Sequence, residues 1–593
     1  MQETKAEQWR RLCSENPGMS PFVLLKISMV WHGARLSAAA LARLQEGDYR
    51  FASAEPFDIA FGGRPARLVM PGGVLLRDAT YVYINWGETY DNPYVIDFDE
   101  RAGEFVLREP AAGPIAADGD PAGDAREGVL DVVDFVPRPE LFDHEAAGGV
   151  PMDELADVRA QKLILTSYRR CEFWGRGEQC RFCALFTRHG IEPEVPCAQL
   201  GETVRAALAE PGRYSELYIS GGTDYAGEPP FGRELERYLR CVRAMGETFS
   251  GPFSCQVMAP AWPRELVRRL HDASGVTSYS PNLEVWGADQ FARLCPGKNA
   301  HVGYDEWLRR TVDAVDVFGA GNVYTQVVGG AELAGDGAVP TPEEAIERNL
   351  EACEWFAERG VTCLSVIWRP HRRSVLGWRP MPPIEYYVEL AKGFHDVRAS
   401  HGLVAFEDDY KMCGNHPDAD LERTDVSVWR GMGREEASLE LAAAGETPSG
   451  EGAPRVSVPG EGESLFCEAF SASELGVAKL AGERGVVVAL REDRSDLGAG
   501  LARALWFDEP VELWLREGVA WRRVRARVWR CDVVGPVFSA ALARVREGSP
   551  SAEVASAWEL RIVEEAPVAS APAARVPSRA PRPELHLDNP LLH

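Results

Sequence analysis

The sequence is short of several things, and each shortage excludes something. Basic side chains are outnumbered, 64 Lys and Arg against 90 Asp and Glu, for a formal charge of −26. Such a surface repels phosphate backbones and anionic bilayers, so neither nucleic acid nor a membrane surface is expected as a partner. Long apolar runs are also missing, since the first one, residues 22–30, is short and broken by Lys26. The first residues carry no cationic stretch leading into an apolar core, so a soluble, cytoplasmic protein is expected. Cysteines number 13 in 593 residues, an odd count and too sparse for a secreted disulfide scaffold. Most are read as small buried hydrophobes in a reducing compartment.

What is present is enough chain for two or three domains. Residues 1–150 alternate short apolar segments with Gly, Pro and Asp turns, as in residues 66–70 and 81–85, and are expected to be β-rich. Residues 111–128, dense in Ala, Gly, Asp and Pro, read as an exposed loop. A central domain is expected over 155–425, a linker over 443–462, an α+β C-terminal domain over 463–565 and a disordered tail over 566–593. In the C-terminal domain Arg523, Arg525 and Arg527 share one face of a candidate strand, most simply a solvent-facing edge.

The central segment alternates strand and helix patterns, with candidate strands at 162–166, 216–220, 254–258, 277–284, 323–328 and 362–368. Candidate helices at 263–272, 304–318 and 383–397 have one apolar face. Another begins at Thr341, which can cap while Pro342 suits the first turn and Glu344 reaches back. The fold class is therefore α/β: a partial barrel of six βα units with β-rich flanks, too few units for a closed eight-stranded barrel. Ligands of such sheets collect where the strands end at their carboxyl side.

Directly after the first of these strands come Cys171, Cys180 and Cys183, spaced Cys-x8-Cys-x2-Cys, with Gly175 and Gly177 easing the longer gap. Three thiolates from one loop are one fewer than an ordinary iron–sulfur cluster takes, which leaves one iron open. The residues alone also admit a zinc site completed by a histidine, a four-thiolate electron-transfer cluster, or three unrelated thiols. The loop resembles the radical S-adenosylmethionine (SAM) superfamily, whose usual motif is Cys-x3-Cys-x2-Cys with an aromatic residue before the last cysteine. Phe182 fills that position.

The resemblance extends to later strand ends over about residues 160–400. Ser220, Gly221, Gly222 and Thr223 stand where the family holds the SAM amino group on a Gly-Gly turn. Asn282, Leu283 and Glu284, followed by Arg293, Pro296, Gly297 and Tyr304, are similar to a run in lipoyl synthase and biotin synthase relatives. That likeness implies that Asn282 and Glu284 approach the ribose or methionine of SAM, Gln326 the lumen, Gly329 and Gly330 the adenosine, and the loop after Ile367 the adenine.

It further implies a [4Fe–4S] cluster on the three cysteines, reductive cleavage of SAM, and a 5′-deoxyadenosyl radical acting on a small molecule, natural product or peptide. The electron would come from a one-electron reductant such as flavodoxin or ferredoxin. Cys241, Cys255, Cys295, Cys353 and Cys363 show no spacing for a second cluster, and Cys413, Cys467 and Cys531 stand apart. The Asp-x-His-x-x-Gly loop of cobalamin domains is not found, so cobalamin is not expected, although an unusual cobalamin site stays open. Residues 407–416 concentrate polar groups that could meet a substrate, or form a solvated loop. The rival reading is a non-catalytic iron–sulfur or zinc-binding interaction protein, which leaves the strand-end motifs unexplained.

Overall fold

The computed structural model describes residues 3–46, 73–76, 80–84, 93–109, 128–135, 139–159, 162–183, 193–209, 216–247, 255–370, 374–377, 379–403, 416–425, 455–457, 464–466, 468–471, 485–490, 501, 510–517, 520–532 and 556–567. The expected strand at 66–70, the loop at 111–127, the polar segment at 407–415, most of the linker at 443–462 and the tail from 568 lie outside the described residues. The chain forms two compact units. One takes Met1–Ala207, Glu216–Thr248 and Phe253–Glu422, and the other Leu208–Ser215, Phe249–Pro252 and Arg423–His593.

The first unit opens with helices α1 (Lys5–Glu15), α2 (Pro21–His32) and α3 (Ala38–Glu46), none of which the expectation of a β-rich region contained. Thr4 starts α1 in a reciprocal capping box with Glu7, and Ser20 with Pro21 starts α2. Strands β1 (Ala34–Leu36), β2 (Gly73–Leu76), β3 (Tyr81–Tyr83), β4 (Tyr94–Asp99), β5 (Glu104–Arg108) and β6 (Val129–Asp134) form a sheet in the order β1-β4-β5-β6-β2-β3. A two-stranded ribbon, β7 (Glu145–Ala146) and β8 (Val150–Pro151), follows.

The second sheet of this unit carries the site. Its strands are β9 (Ala156–Arg159), β10 (Lys162–Tyr168), β11 (Glu216–Gly221), β12 (Cys255–Met258), β13 (Ser278–Ser280), β14 (Val323–Gly329) and β15 (Val361–Ile367), ordered sequentially. β9 is antiparallel to β10, and from β10 to β15 all pairs are parallel. The helices are α4 (Cys197–Leu208), α5 (Gly232–Gly246), α6 (Arg264–Ser274), α7 (Ala288–Leu294), α8 (Pro296–His301), α9 (Tyr304–Phe318), α10 (Pro342–Ala357), α11 (Ile384–Ser400) and α12 (Pro417–Asp425). The six βα units of the expected partial barrel are all there.

Alternation along the strands separates two faces. Leu163, Leu165, Ile219, Val257 and Tyr279 are fully buried on the helix side, where the Tyr279 ring stacks on Phe318 of α9. Ile164, Thr166, Ser220, Met258, Tyr324 and Gln326 alternate with that set, are half-buried, and line the inner face. Thr341 caps α10 by accepting from the Glu344 N–H. The Glu344 carboxylate does not reach back, because Arg348 one turn on takes it at 2.7 Å.

The outer edge of β15 is closed by side chains. Asp418 accepts from both the N–H and the hydroxyl of Ser365, at 3.3 and 2.8 Å. His416 Nδ1 donates to the Ser365 carbonyl, and Arg398 donates to the Cys363 carbonyl at 2.7 Å and to Asp418 at 2.6 Å. Arg398 and Asp418 are both 0% exposed, so each carboxylate and guanidinium bond here is made away from water. Lys26 of α2 reaches Asp420 on the same helix, α12. This caps an edge that would otherwise pair with a further strand. His416, at the end of the polar segment considered as substrate-facing, is thus an edge cap.

Asp418→Ala is expected to leave Arg398 buried without its carboxylate and to destabilise the unit by about 3–5 kcal/mol. The check is the urea midpoint of the full chain against wild type; an unchanged midpoint would refute the edge-cap account.

Candidate metal and cofactor site

The three cysteines sit on a loop that the rest of the chain holds down. Cys171, Cys180 and Cys183 are half-buried. β10 leads in through Tyr168, whose hydroxyl donates to Glu172 at 2.8 Å. From β11, the Thr223 carbonyl accepts the Glu172 N–H at 2.9 Å, and the Gly222 N–H donates back to Tyr168. From the α7–α8 junction, the Leu294 carbonyl accepts the Arg181 N–H at 2.8 Å, and the Gly297 N–H donates to Glu178 at 2.9 Å. The Leu376 N–H, beyond β15, donates to the Arg181 carbonyl. Gly177 turns the loop with φ +72°.

Two glycines make these contacts sterically possible. A Cβ on Gly222 would lie 2.1 Å from the Arg170 carbonyl oxygen and 2.5 Å from the Cys171 nitrogen. One on Gly297 would lie 2.6 Å from the Phe173 ring and 2.7 Å from the Glu178 carbonyl. Phe173 is buried, and it stacks with His301 and Tyr225, whose own rings are 4.0 Å apart.

The Asn282–Glu284 segment was expected within a strand over 277–284, but β13 ends at Ser280. Pro281 and the positive φ of Glu284, +80°, break the run. Glu284 then rejoins the sheet beside β14: its N–H donates to Gln326 and its carbonyl accepts from Val328, both at 2.8 Å. A non-glycine residue in this conformation is held against its preference, as residues at functional sites often are. Its Oε1 accepts from Lys298 Nζ at 3.0 Å, and the same ammonium donates to the Asn282 carbonyl at 2.6 Å.

Lys298 also faces the cysteine loop. Burial alone would lower its ammonium, yet Glu284 and the nearby Cys180 and Cys295 thiols outweigh burial and raise it. Cys180 is held below the ordinary thiol range by its hydrogen bond with Cys295, with Lys298 acting in the same direction against burial. Burial pushes Cys295 well up. Cys171 is pushed up to about 11 by burial, which the backbone of Phe173 and Thr223 only partly opposes.

On the other flank, Asp224 is fully buried and paired with Arg233 at 2.6 Å and Arg237 at 2.8 Å. Burial would raise its carboxyl, but the two guanidiniums win and lower it. Next to it, Glu234 accepts from Trp262 Nε1 at 2.8 Å and from the Asp224 N–H at 3.2 Å. Its burial dominates and pushes the carboxyl up to about 8.

The residues singled out from the sequence fall as follows. Phe182 is half-buried on the loop. Ser220, Gly221, Gly222 and Thr223 end β11 against the start of the loop, and the Ser220 carbonyl accepts from Ser167 at 3.0 Å. Asn282 is buried, its amide engaged with Ser280 and Met258. Gln326 lies on the inner face of β14, half-buried. Ile367 lies elsewhere: it alternates with Cys363 and Ser365 on the helix side of β15 and is 3% exposed.

Sequence reading gave no role to Lys298, Cys295 or Glu234. Lys298 was visible only as the residue after Pro296 and Gly297, and Cys295 stood apart in sequence from its partner Cys180. Arg293 turns out to clamp the turn after β14, donating to the Ala334 and Glu332 carbonyls at 2.8 and 2.9 Å.

By donor chemistry the loop fits an iron–sulfur cluster: three thiols, and a cation beside one of them to offset thiolate charge. Among the described residues no three His, Cys, Asp or Glu side chains are drawn together as a metal-holding group. Among the described residues no helix is long and apolar enough to cross a membrane.

No family model matches the sequence. The chain is similar to bacteriochlorophyllide c C-7(1)-hydroxylase of Chlorobaculum limnaeum, with 23% identity over 283 residues, 45% of this chain and 66% of that one. The fold is similar to HydG, a maturase of the [FeFe]-hydrogenase, at TM-score 0.30 and 14% identity, over 42% of this chain and 52% of that one. It is also similar to a radical SAM methyltransferase from Sphaerobacter thermophilus, at TM-score 0.31 and 14% identity, over 68% and 92% of the two chains. The chain thus spans just under two thirds of the hydroxylase and about half of the maturase.

In its sequential parallel sheet, its three-cysteine loop and its strand-end motifs, the chain resembles the radical SAM superfamily.

Glu234 gives the site a pH signature. Between the ordinary carboxyl range near 4.3 and its own value of about 8, the folded chain keeps a proton that the unfolded chain has released. That contribution to stability is complete below about pH 4.3 and is lost as pH rises through about 8. Urea midpoints at about pH 6 and pH 8 are therefore expected to fall more steeply in wild type than in Glu234→Gln, and equal slopes would refute it.

Proposed function

We propose that the chain holds a [4Fe–4S] cluster on Cys171, Cys180 and Cys183 and reductively cleaves SAM there, directing the resulting 5′-deoxyadenosyl radical at a small molecule, natural product or peptide. The carrying observation is the strapping of the cysteine loop across the carboxyl ends of a parallel sheet, onto the Gly221–Gly222 turn and the Lys298–Glu284–Asn282 group. When bound, such a cluster supplies one electron to the SAM sulfonium, whose carbon–sulfur bond breaks to give methionine and the 5′-deoxyadenosyl radical.

The chain's own contribution is positioning and charge. Three thiols lose their protons to bind iron, and the set of three leaves one iron for an outside ligand. Lys298 offsets the added negative charge beside Cys180. Gly221 and Gly222 let the end of β11 lie directly against the start of the cysteine loop, where a side chain on Gly222 would strike the Arg170 carbonyl. Gln326 and Met258 present the half-buried inner face to the substrate side. Cobalamin is not called for by any of these residues, and the electron is assigned to a small carrier protein such as flavodoxin or ferredoxin. The likeness to a protein named as a hydroxylase favours a reaction that begins by removing hydrogen from carbon.

The full chain, reconstituted anaerobically with iron and sulfide, is expected to take up about four iron, and to release 5′-deoxyadenosine when reduced with dithionite in the presence of SAM. Cys180→Ala is expected to lose both. A loaded chain that never forms 5′-deoxyadenosine would overturn the proposal in favour of a non-catalytic iron–sulfur protein, and zinc uptake in place of iron would favour a zinc site. Gly222→Ala, which pushes into the Arg170–Cys171 backbone, is expected to retain less than about half the wild-type iron after desalting, with Gly18→Ala, where nothing lies within 4 Å of the added Cβ and the backbone is not left-handed, near wild type in iron.

A further inference from the structure

We infer that Cys197 and Cys241 form a reversible disulfide, a modification site that fastens the segment following the cysteine loop to α5. The inference stands apart from the cluster reading, since neither thiol belongs to the three-cysteine set. Cys197 opens α4 and Cys241 lies within α5. Although 44 positions apart in sequence, their sulfurs already meet at 2.8 Å.

The two thiols differ in the way that thiol–disulfide exchange requires. Cys197 is half-buried between the exposed Pro196 and Ala198, so a small oxidant reaches it, whereas Cys241 is fully buried. Cys197 is held down to about 7, first by its hydrogen bond with Cys241 and then by the Arg240 guanidinium, which together outweigh burial. That same bond and burial push Cys241 well up. Cys197 is therefore the attacking thiolate, and Cys241 the protonated thiol that resolves it. In the first step the Cys197 thiolate attacks one sulfur of a small-molecule disulfide, and the expelled thiolate takes up the proton that Cys197 had given to water. Cys241 then attacks the Cys197 sulfur and expels the second half, which leaves with the Cys241 proton. In sum, two protein thiols lose two electrons and two protons, and the small disulfide is reduced to two thiols.

What the bond would hold follows from its surroundings. The residues just before Cys197 run beside the strand that leads into the cysteine loop: the Arg169 N–H donates to the Pro193 carbonyl at 2.8 Å, and the Val195 N–H to the Ser167 carbonyl at 3.3 Å. One turn before Cys241, Arg237 pairs with Glu194 at 3.0 Å and with Asp224 at 2.8 Å. Asp224 in turn follows Thr223, whose carbonyl accepts from Glu172 in the loop. A bond from Cys197 to Cys241 therefore ties the segment after the loop to the helix that steadies the end of β11. In a reducing compartment such a pair opens and closes with the surrounding thiol poise rather than standing closed.

The test uses the full chain, purified anaerobically, treated with glutathione disulfide, quenched with acid and alkylated, with linked peptides read by mass spectrometry. Wild type is expected to give Cys197 joined to Cys241 as its main disulfide and to return to thiols with dithiothreitol. Cys241→Ala, which has nothing to resolve the first step, is expected to stop with glutathione on Cys197, about tenfold more of it than wild type carries. Cys197→Ser is expected to form neither product. The urea midpoint of wild type is expected to rise on oxidation and fall back on reduction, with no shift in Cys197→Ser. Glutathione spread over other thiols with no Cys197–Cys241 link would overturn the disulfide, and so would a Cys241→Ala chain with no more glutathione on Cys197 than wild type. A link that leaves the midpoint unchanged would overturn the fastening role.

Discussion

Everything at this site depends on two places where a glycine backbone lies directly against the loop, Gly222 against the backbone of Arg170 and Cys171, and Gly297 against the Phe173 ring and the Glu178 carbonyl. A loop that carries three thiols has no regular structure of its own, and ordering it costs about 1–2 kcal/mol per residue. That cost is met from outside, by hydrogen bonds from β11, from the α7–α8 junction and from Leu376. Each of these needs its segment already in place. The loop is therefore a dependent of the sheet, and its geometry is only as firm as the strand ends beneath it.

The two flanks of the loop use buried charge for the same end. Lys298, Glu284 and the Asn282 carbonyl form one group, and Asp224, Arg233, Arg237 and Glu234 the other. Taking such charges from water is expensive, and an apolar replacement would often be as stable. What an apolar replacement could not do is offset thiolate charge. Lys298 is placed for that by α8, which begins at Pro296 directly after Cys295, so the thiol that meets Cys180 and the ammonium beside it come from one helix start.

Much of the barrel was legible because its signals are local. Periodicity located the six strands to within a few residues, and Thr341 with Pro342 marked a helix start. The cysteine spacing and the Gly221–Gly222 turn were visible for the same reason. The pairing of Cys295 with Cys180 was not, since only the fold brings α8 over the loop. The apolar pattern through 277–284 read as unbroken strand because a positive φ at Glu284 leaves no mark in the sequence. Ile367 was assigned toward the cofactor from its place at a strand end, whereas alternation from Cys363 turns it to the helices. The opening helices escaped notice because the β-like alternation of later residues was extended over them.

The edge of the sheet completes the logic. A parallel sheet of six strands is left with an open side at β15, where N–H and carbonyl groups would invite a seventh parallel strand or another chain. Asp418, His416 and Arg398 bond those groups individually. Closing the edge with side chains costs no further βα unit, so the sheet stays a partial barrel. Its inner face, with Ile164, Thr166, Met258 and Gln326 half-buried, is then left unfilled by a seventh and eighth strand. The same choice that stops the sheet from growing leaves room above the strand ends, where the cysteine loop lies.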